Sequence, residues 1–456
     1  MLLVKDDILT DEGELAVKAL HEENLHEFRR HYLEHHPYDQ ARLFILLSAK
    51  EREMLYQYLS PGEMAEIFEN IEEEEHPYET YLAEMNPSFA ADMFAEMYTD
   101  DAVDVLNELD KAQAASYLSL MNKKAASEIR ELLHYEESTA GSIMTTEFIT
   151  ISAQQNVGAA MEILKAEAPD AETIYYIYVT DGDKKLAGVV SLRDLIISSD
   201  HTLISDIMNE RVYSVSVADD QEDVARRMRD YNFLALPVVD FQQHILGIIT
   251  VDDIVDVIDE EASEDYSRLA AVPDVDTADR GPFSAAKKRL PWLIILLFLG
   301  MLTASLIGRF EATLEQVAIL AVFIPLIAGM AGNTGTQALA VAVRRIALGD
   351  TTEEKKSKIL LKEAGTGLIT GTICGIVVTI TVFIWHGQIF LGLLVGISIF
   401  ATLTVATVAG AFIPLLMHKF NIDPAVASGP FITTINDIIS VLIYFGMATM
   451  FMQYLL

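Results

Sequence analysis

The chain has 456 residues and carries 68 acidic against 32 basic side chains, although 51% of its residues are hydrophobic. This length exceeds what a single hydrophobic core supports, so several domains are expected. The net charge of −36 disfavours nucleic acid as a partner, and the single cysteine, Cys374, excludes a disulfide framework or a cysteine metal site.

The negative charge is concentrated before residue 281. Residues 1–280 hold 60 acidic and 21 basic side chains, whereas residues 281–456 hold 8 and 11. A charge of this size repels itself in a compact state, and multivalent cations offset that repulsion most effectively. An acidic surface that only keeps the protein soluble is the alternative.

Residues 1–136 are predicted to form an acidic, all-α N-domain. Apolar residues recur at spacings of three and four in segments such as ARLFILLSAKEREMLYQYL. The units LSPGEMAEIFENI and MNPSFAADMFAEM each open with a turn and a capping residue, which indicates a stack of helical hairpins. The first residues, MLLVKDDILT, lack the basic and long apolar regions of a signal peptide, so we expect this part to remain cytoplasmic.

Residues 137–200 and 201–260 are predicted to be two copies of one α/β unit. Short β-type runs alternate with helical runs, and GVVSLRDL in the first copy aligns with GIITVDDI in the second. Tandem β-α-β-β-α units that end in this way resemble a pair of CBS domains.

The remaining residues are predicted to form a connecting helix over 261–288 and an all-α bundle over 289–456 that spans the membrane. Five apolar runs are each long enough to cross a bilayer. Basic residues cluster before the first run, between the second and third, and after the fourth, so the soluble part should lie inside the cell and the C-terminus outside. The runs are 291–308, 317–343, 364–385, 389–417 and 430–456.

The second apolar run contains glycines, a proline and amides within PLIAGMAGNTGTQALA. Helix breakers and amides at membrane depth are tolerated where they face protein or a water-filled cavity, and an interrupted helix leaves carbonyls free to hold a hydrated ion. Close packing of helices through small residues is the alternative. The candidate residues are Pro325, Gly332, Asn333, Gly335 and Gln337.

The last apolar run contains an acidic residue, Asp437, in SGPFITTINDIIS, close to Thr434. An ionised carboxylate in hydrocarbon is costly, so Asp437 is predicted to face a cavity or a cation. Oxygen ligands without nearby His or Cys favour Mg²⁺ or Ca²⁺. A carboxyl that is protonated or held by local hydroxyls is the alternative. Because one Asp makes a poor site, a homodimer with the ion path at its axis is expected.

The combination of motifs resembles the MgtE family of Mg²⁺ channels and transporters. It comprises P-x(6)-G-N-x-G-x-Q in one span, T-T-x-N-D in the last span, a CBS pair and an acidic helical N-domain. The resemblance implies a Mg²⁺-selective channel of the cell membrane rather than an enzyme. It also implies that Asp437 selects the ion and that Asn333 belongs to the pore. Gly429 departs from the family pattern, which has an asparagine there in one relative.

Acidic residues also crowd the second CBS unit and the connecting helix. Facing carboxylates repel unless a cation lies between them, so bound Mg²⁺ is predicted to hold a compact, closed state. Asn232 stands where one relative has an acid. The predicted regulatory residues are Asp220, Glu222, Asp253, Glu261, Glu264 and Asp265, to which the resemblance adds Asp100, Asp104 and Asp279.

The resemblance further implies an ATP site in the CBS pair. Tyr176 and Phe233 would sandwich the adenine, Asp194 would bind the ribose and Arg193 the phosphate. Aromatic residues at strand ends that simply join the core are the alternative. Two other functions stay open: a membrane-anchored sensor of Mg²⁺ or nucleotide without transport, and a broader transporter of divalent cations such as Mn²⁺ and Co²⁺. The glycine-containing span disfavours a mere anchor, because anchoring needs only apolar residues.

Overall fold

The computed structural model describes residues 11–71, 78–272, 281–347, 353–420 and 422–454. The chain divides into two compact units, Met1–Asp259 and Glu260–Leu456, and each is described by itself. Asp279, one of the predicted regulatory residues, lies outside the described residues.

The described residues of the first unit begin with ten short helices, and apolar spacing predicts an all-α domain here. Proline occupies the first helical position in α3, α5 and α7, where no backbone donor is required. Ser60 and Glu63 form a capping box at the start of α5. The helices are α1 Asp11–His21, α2 Leu25–Leu33, α3 Pro37–Leu46, α4 Ala49–Tyr58, α5 Pro61–Phe68, α6 Tyr78–Glu84, α7 Pro87–Phe94, α8 Thr99–Asn107, α9 Lys111–Leu120 and α10 Lys123–Leu132.

The two α/β copies each contain a three-stranded sheet with the same topology. The first strand pairs in parallel with the second, which pairs antiparallel with the third. The equivalent glycines of the repeat, Gly188 and Gly247, occupy equivalent registers opposite Val179 and Val238. The strands are β1 Thr150–Ser152, β2 Tyr176–Thr180, β3 Leu186–Ser191, β4 Val215–Ser216, β5 Ala235–Val239 and β6 Ile245–Thr250.

Helices complete both copies, and the last helix continues into the second unit. Asn232 ends α14 in the left-handed conformation, with φ of 55°, which asparagine tolerates better than most residues. The connecting helix differs from the prediction over 261–288: α15 starts at Val251, directly after β6, and stops at Leu269, shortly before Ala271 adopts φ of 58°. The helices are α11 Val157–Glu167, α12 Leu192–Ile197, α13 Ile204–Ile207, α14 Gln221–Tyr231 and α15 Val251–Leu269.

Within the described residues, the second unit contains five helices that are long and apolar enough to cross a membrane. Glycines bring α19 and α20 close together, since a Cβ added at Gly371 would lie 2.8 Å from the carbonyl oxygen of Phe400. A short helix, α17, and a 3-10 turn at Ala318–Phe323 precede α18. The helices are α16 Gly281–Gly308, α17 Glu311–Gln316, α18 Ile324–Ala347, α19 Glu353–His386, α20 Ile389–Lys419 and α21 Gly429–Met450.

Candidate functional site

The motif-bearing helix α18 is continuous from Ile324 to Ala347. The prediction that its glycines interrupt the helix and free carbonyls for an ion is therefore wrong. Pro325 lies in the first turn, where the helix needs no backbone N–H from it. Gly332 and Gly335 instead allow helices to pack closely against α18, which is the alternative stated above.

Two glycines of α18 receive side chains of α21. A Cβ added at Gly332 would lie 2.7 Å from Cγ2 of Thr433, and one added at Gly335 would overlap the side-chain nitrogen of Asn436. Because both pairs are three residues apart on their helices, they lie on one face of each helix. The spacing of the glycines thus sets how α21, which carries Asp437, rests on α18.

The amides of the motif lie on a different side of α18 from these glycines. Asn333 and Gln337 are exposed, one helical turn apart, whereas Gly332 and Gly335 are buried. Asp437 is half-buried, and so is Thr434. The polar residues Asn333, Gln337 and Asp437 therefore retain accessible surface in the single chain.

In the described part of the chain, no hydroxyl near Asp437 donates a hydrogen bond to its carboxylate. Thr433 and Thr434 donate to the carbonyls of Gly429 and Pro430 at 2.9 Å, and Ser440 donates to the backbone carbonyl of Asp437 at 2.8 Å. Among the described residues, the carboxylate itself forms no hydrogen bond or ion pair. This arrangement argues against an aspartate held by local hydroxyls and leaves its oxygens available to a cation or to bound water.

The C-terminal end of α15 packs onto the transmembrane helices of its own unit. Leu269 joins an apolar cluster with Leu339, Val343, Ala427 and Ile432. Its carbonyl lies 3.4 Å from a Cβ added at Gly429. The departure from the family pattern at Gly429 therefore lies directly beside the end of the connecting helix.

Charges accompany this packing. Arg268 forms ion pairs with Glu264 and with Asp423, which lies between α20 and α21. Burial raises the pKa of Asp265, the charge of Glu261 raises it further, and Arg344 near the end of α18 opposes the rise. The predicted acids in the C-terminal half of α15, Glu261, Glu264 and Asp265, thus lie near the ends of α18 and α20, and Glu264 has a basic partner.

A second acidic cluster lies within the first unit, around the start of α8. Asp100 is 8% exposed, and burial together with the charges of Asp101, Asp253 and Glu172 raises its pKa well above the usual range. Burial raises the pKa of Asp101 to about 8, with Glu69, Asp253 and Asp104 adding to the shift. Asp104 and Asp253 therefore lie near Asp100 and Asp101 in one cluster of acids.

Sequence reasoning missed several members of this cluster. Burial followed by the charges of Asp253 and Asp252 raises the pKa of Glu172 to about 8. Glu147 accepts a hydrogen bond from the hydroxyl of Thr99 at 2.5 Å, which links the loop before β1 to α8. These acids come from distant parts of the sequence, so no spacing rule could have found them. Asp101 alone carried a signal, because it adjoins Asp100 in the first turn of a helix.

The other two predicted regulatory acids lie at the start of α14. Asp220 is exposed and caps the helix by accepting from the backbone N–H groups of Glu222 and Asp223. Helix capping is thus its visible role. Within the described ranges, no group of three or more His, Cys, Asp or Glu side chains has the geometry to hold a metal ion.

The four predicted nucleotide residues lie at or near the ends of strands: Arg193 and Asp194 in α12 directly after β3, and Phe233 two residues before β5. Asp194 accepts a hydrogen bond from Ser191 at 2.6 Å, and Arg193 is exposed. Tyr176, at the start of β2, is half-buried. Phe233 stacks on Tyr231 with ring centroids 5.5 Å apart.

Comparison with known proteins bears on the whole chain. Residues 324–447 match the family model "MgtE: Divalent cation transporter", residues 35–138 match the MgtE intracellular N domain, and residues 140–200 and 204–260 match CBS domains. The magnesium transporter MgtE of Enterococcus faecalis is 55% identical over 96% of this chain and 97% of its own. Those of Bacillus subtilis and Thermus thermophilus are 38% and 36% identical, again over at least 95% of both chains.

Solved structures resemble the soluble part. A crystal structure of the soluble part of a magnesium transporter is 57% identical, with a TM-score of 0.54, and covers 55% of this chain and 98% of its own. The cytosolic domain of the Mg²⁺ channel MgtE in complex with ATP is 36% identical, with a TM-score of 0.51, and covers 54% and 99%. On this evidence, and on the arrangement of N-domain, CBS pair and five apolar helices, the chain belongs to the MgtE family.

Proposed function

We propose that this chain is a Mg²⁺-selective, channel-type transporter of the cell membrane that intracellular Mg²⁺ closes. The observation that supports the proposal most directly is the carboxylate of Asp437, which lies within an apolar span without a partner among the described residues. Such a group suits a cation that retains part of its water shell, as Mg²⁺ does. The most similar relatives named above are magnesium transporters.

The pore is proposed to form between two copies of the chain. A single Asp437 supplies only one carboxylate, whereas a two-fold axis supplies two. The exposed Asn333 and Gln337 would then contribute amide oxygens beside the path. In this arrangement Asp437 selects the hydrated ion, and membrane lipid surrounds the outer faces of both copies.

The gate is proposed to be closed by Mg²⁺ bound among the acids of the N-domain, the CBS pair and α15. Burial, followed by repulsion from neighbouring carboxylates, raises the pKa values of Asp100, Asp101 and Glu172, so their ionised forms are unfavourable without a cation. Bound Mg²⁺ would relieve this repulsion. ATP at the CBS pair, through Tyr176, Arg193, Asp194 and Phe233, is proposed to modulate the gate, because a related cytosolic domain is known in complex with ATP.

Mg²⁺ uptake into proteoliposomes tests the pore assignment. Asp437→Asn keeps the size of the side chain and removes its charge, so we expect Mg²⁺ uptake to fall by about tenfold or more. Glu315→Gln removes one charge from an exposed position of the same domain and serves as the matched control. Normal uptake by Asp437→Asn would refute the assignment.

The same measurement separates the proposal from its alternatives. A sensor without transport predicts no Mg²⁺ uptake by the unmodified chain. A broader transporter predicts that Mn²⁺ and Co²⁺ enter as readily as Mg²⁺ and that Asp437→Asn affects all three cations equally.

A further inference from the structure

Asn436 has a surrounding that the proposed function does not explain. It precedes Asp437 in α21, is completely buried, and neither its Oδ1 nor its Nδ2 has a hydrogen-bond partner among the described residues. Its side chain lies directly against Gly335 of α18. The carbonyl of the same glycine is approached by Gly410 of α20. The carboxamide therefore lies where three transmembrane helices meet.

Packing alone does not explain an amide at this position. Leucine has a similar branched outline and no polar atoms, and a buried polar group without a partner lowers stability. Nearby hydroxyls behave differently, since those of Thr433, Thr434 and Ser440 all donate to backbone carbonyls. Asn436 is thus a polar side chain that this arrangement of helices leaves unsatisfied.

The face of α18 that Asn436 contacts is backbone rather than side chain. Gly332 and Gly335 carry no Cβ, so α21 packs directly against the backbone on that face, while Gly410 of α20 approaches the carbonyl of Gly335. The carbonyl of Gly332 already accepts a hydrogen bond from Thr336 at 3.1 Å, in addition to its place in the helix. A small shift of α18 along α21 would bring a backbone carbonyl of the glycine face within hydrogen-bond distance of the Asn436 amide.

We propose that Asn436 is a positioning residue for Asp437, unpartnered in the present helix arrangement and hydrogen-bonded to the backbone of α18 in the conducting arrangement. The inference rests on the proposed function, because it assumes that Asp437 faces the ion. Its consequence is that the amide favours the conducting arrangement. An apolar side chain of the same size would favour the arrangement described here.

Asn436→Leu in the full chain tests the proposal. We expect its thermal stability in detergent to equal or exceed that of the unmodified protein, because an unsatisfied amide is removed. We expect the maximal rate of Mg²⁺ uptake to fall about tenfold, with the half-saturating Mg²⁺ concentration changed by less than about twofold, because Asp437 is retained. Unchanged uptake would overturn the proposal. A parallel loss of stability and uptake would show that leucine does not fit at this position, and the substitutions described next then decide.

A pair of smaller substitutions provides a second test should leucine not fit. Gly335→Ala adds a methyl group that overlaps Asn436, whereas Asn436→Ala removes the overlapping atoms. The double variant should recover the stability lost in Gly335→Ala without recovering uptake. Recovery of both would show that the two residues act by packing alone, and the proposal would be wrong.

Two controls separate this inference from the pore assignment. Ser398→Ala alters a buried polar side chain of α20 whose hydroxyl already donates to the carbonyl of Leu394, so uptake should stay normal. Asp437→Asn is measured in parallel. Normal uptake by Asp437→Asn overturns the pore assignment, whereas normal uptake by Asn436→Leu overturns only the positioning role.

Discussion

At the scale of single residues, two glycines of α18 have very different surroundings. A Cβ at Gly335 would overlap Asn436, whereas a Cβ at Gly329 would have no atom within 4 Å. Glycine is among the poorest helix formers, so its presence in a continuous helix must be explained position by position. Gly335 is explained by the approach of α21, and nothing in the structure explains Gly329.

Alanine substitutions at these two glycines should therefore have opposite effects on the melting temperature. Gly335→Ala should lower the melting temperature and the yield of folded protein, because α21 must move away from α18. Gly329→Ala in the same helix should leave the melting temperature unchanged or raise it, since alanine favours a helix by about 1 kcal/mol over glycine. Thermal unfolding in detergent measures both. Equal effects of the two substitutions would contradict the packing described.

At the scale of elements, the C-terminal end of α15 contacts transmembrane helices of its own unit. Leu269 is packed among Leu339, Val343 and Ile432, and Arg268 pairs with Asp423. Glu261, Glu264 and Asp265 lie in the two turns before this end. In the proposed gate, Mg²⁺ bound by these carboxylates holds α15 against the transmembrane helices.

Neutralising Glu261, Glu264 and Asp265 together should give a channel that stays open at high internal Mg²⁺. Without these carboxylates, the cation loses ligands that favour the closed arrangement. Mg²⁺ uptake against rising internal Mg²⁺ measures the effect. Neutralising the exposed Asp259 and Glu260 of the same helix is the control and should leave inhibition intact. Unchanged inhibition in the triple variant would refute this part of the gate.

At the scale of the whole first unit, the acidic cluster makes the stability of the fold depend on pH. Burial raises the pKa of both Asp101 and Glu172 to about 8 in the folded state, above their ordinary values of 3.8 and 4.5. Between those ordinary values and about pH 8, the folded unit binds more protons than the unfolded chain. Its stability must therefore fall as the pH rises through this window.

Mg²⁺ should remove much of this pH dependence. In the proposed gate the ion binds deprotonated carboxylates of the folded unit, so it should raise the melting temperature more at pH 8.5 than at pH 5. Thermal unfolding of the first unit, with and without Mg²⁺ at both pH values, measures this. Asp101→Asn combined with Glu172→Gln should flatten the pH dependence without Mg²⁺. A melting temperature that rises with pH in the unmodified unit would contradict the assignment.

The parts of the molecule that sequence reasoning predicted are those encoded locally. The five apolar helices follow from composition, and the repeat of GVVSLRDL in GIITVDDI follows from alternation and turn residues. Asp437 was selected as a candidate because an ionised carboxylate is costly, and therefore rare, within an apolar run.

The parts that were missed depend on contacts between distant segments. Glu172 and Glu147 join the acidic cluster only through tertiary packing, and the sequence around them carries no metal-ligand spacing. The continuity of α18 was mispredicted because packing against Thr433 and Asn436 outweighs the weak helix propensity of its glycines. The early end of α15, by contrast, accompanies a local left-handed turn at Ala271, which the sequence does not signal because alanine rarely adopts that conformation.

The close packing of Thr433 against Gly332 and of Asn436 against Gly335 also has an evolutionary consequence. A lineage that acquires alanine at position 335 has no room for asparagine at 436, so the two positions should mutate as a pair. Positions 332 and 433 should do the same, whereas position 329 should drift independently. A family-wide analysis of covariation would then recover the α18–α21 contact from sequences alone, with the strongest covariation between positions 335 and 436.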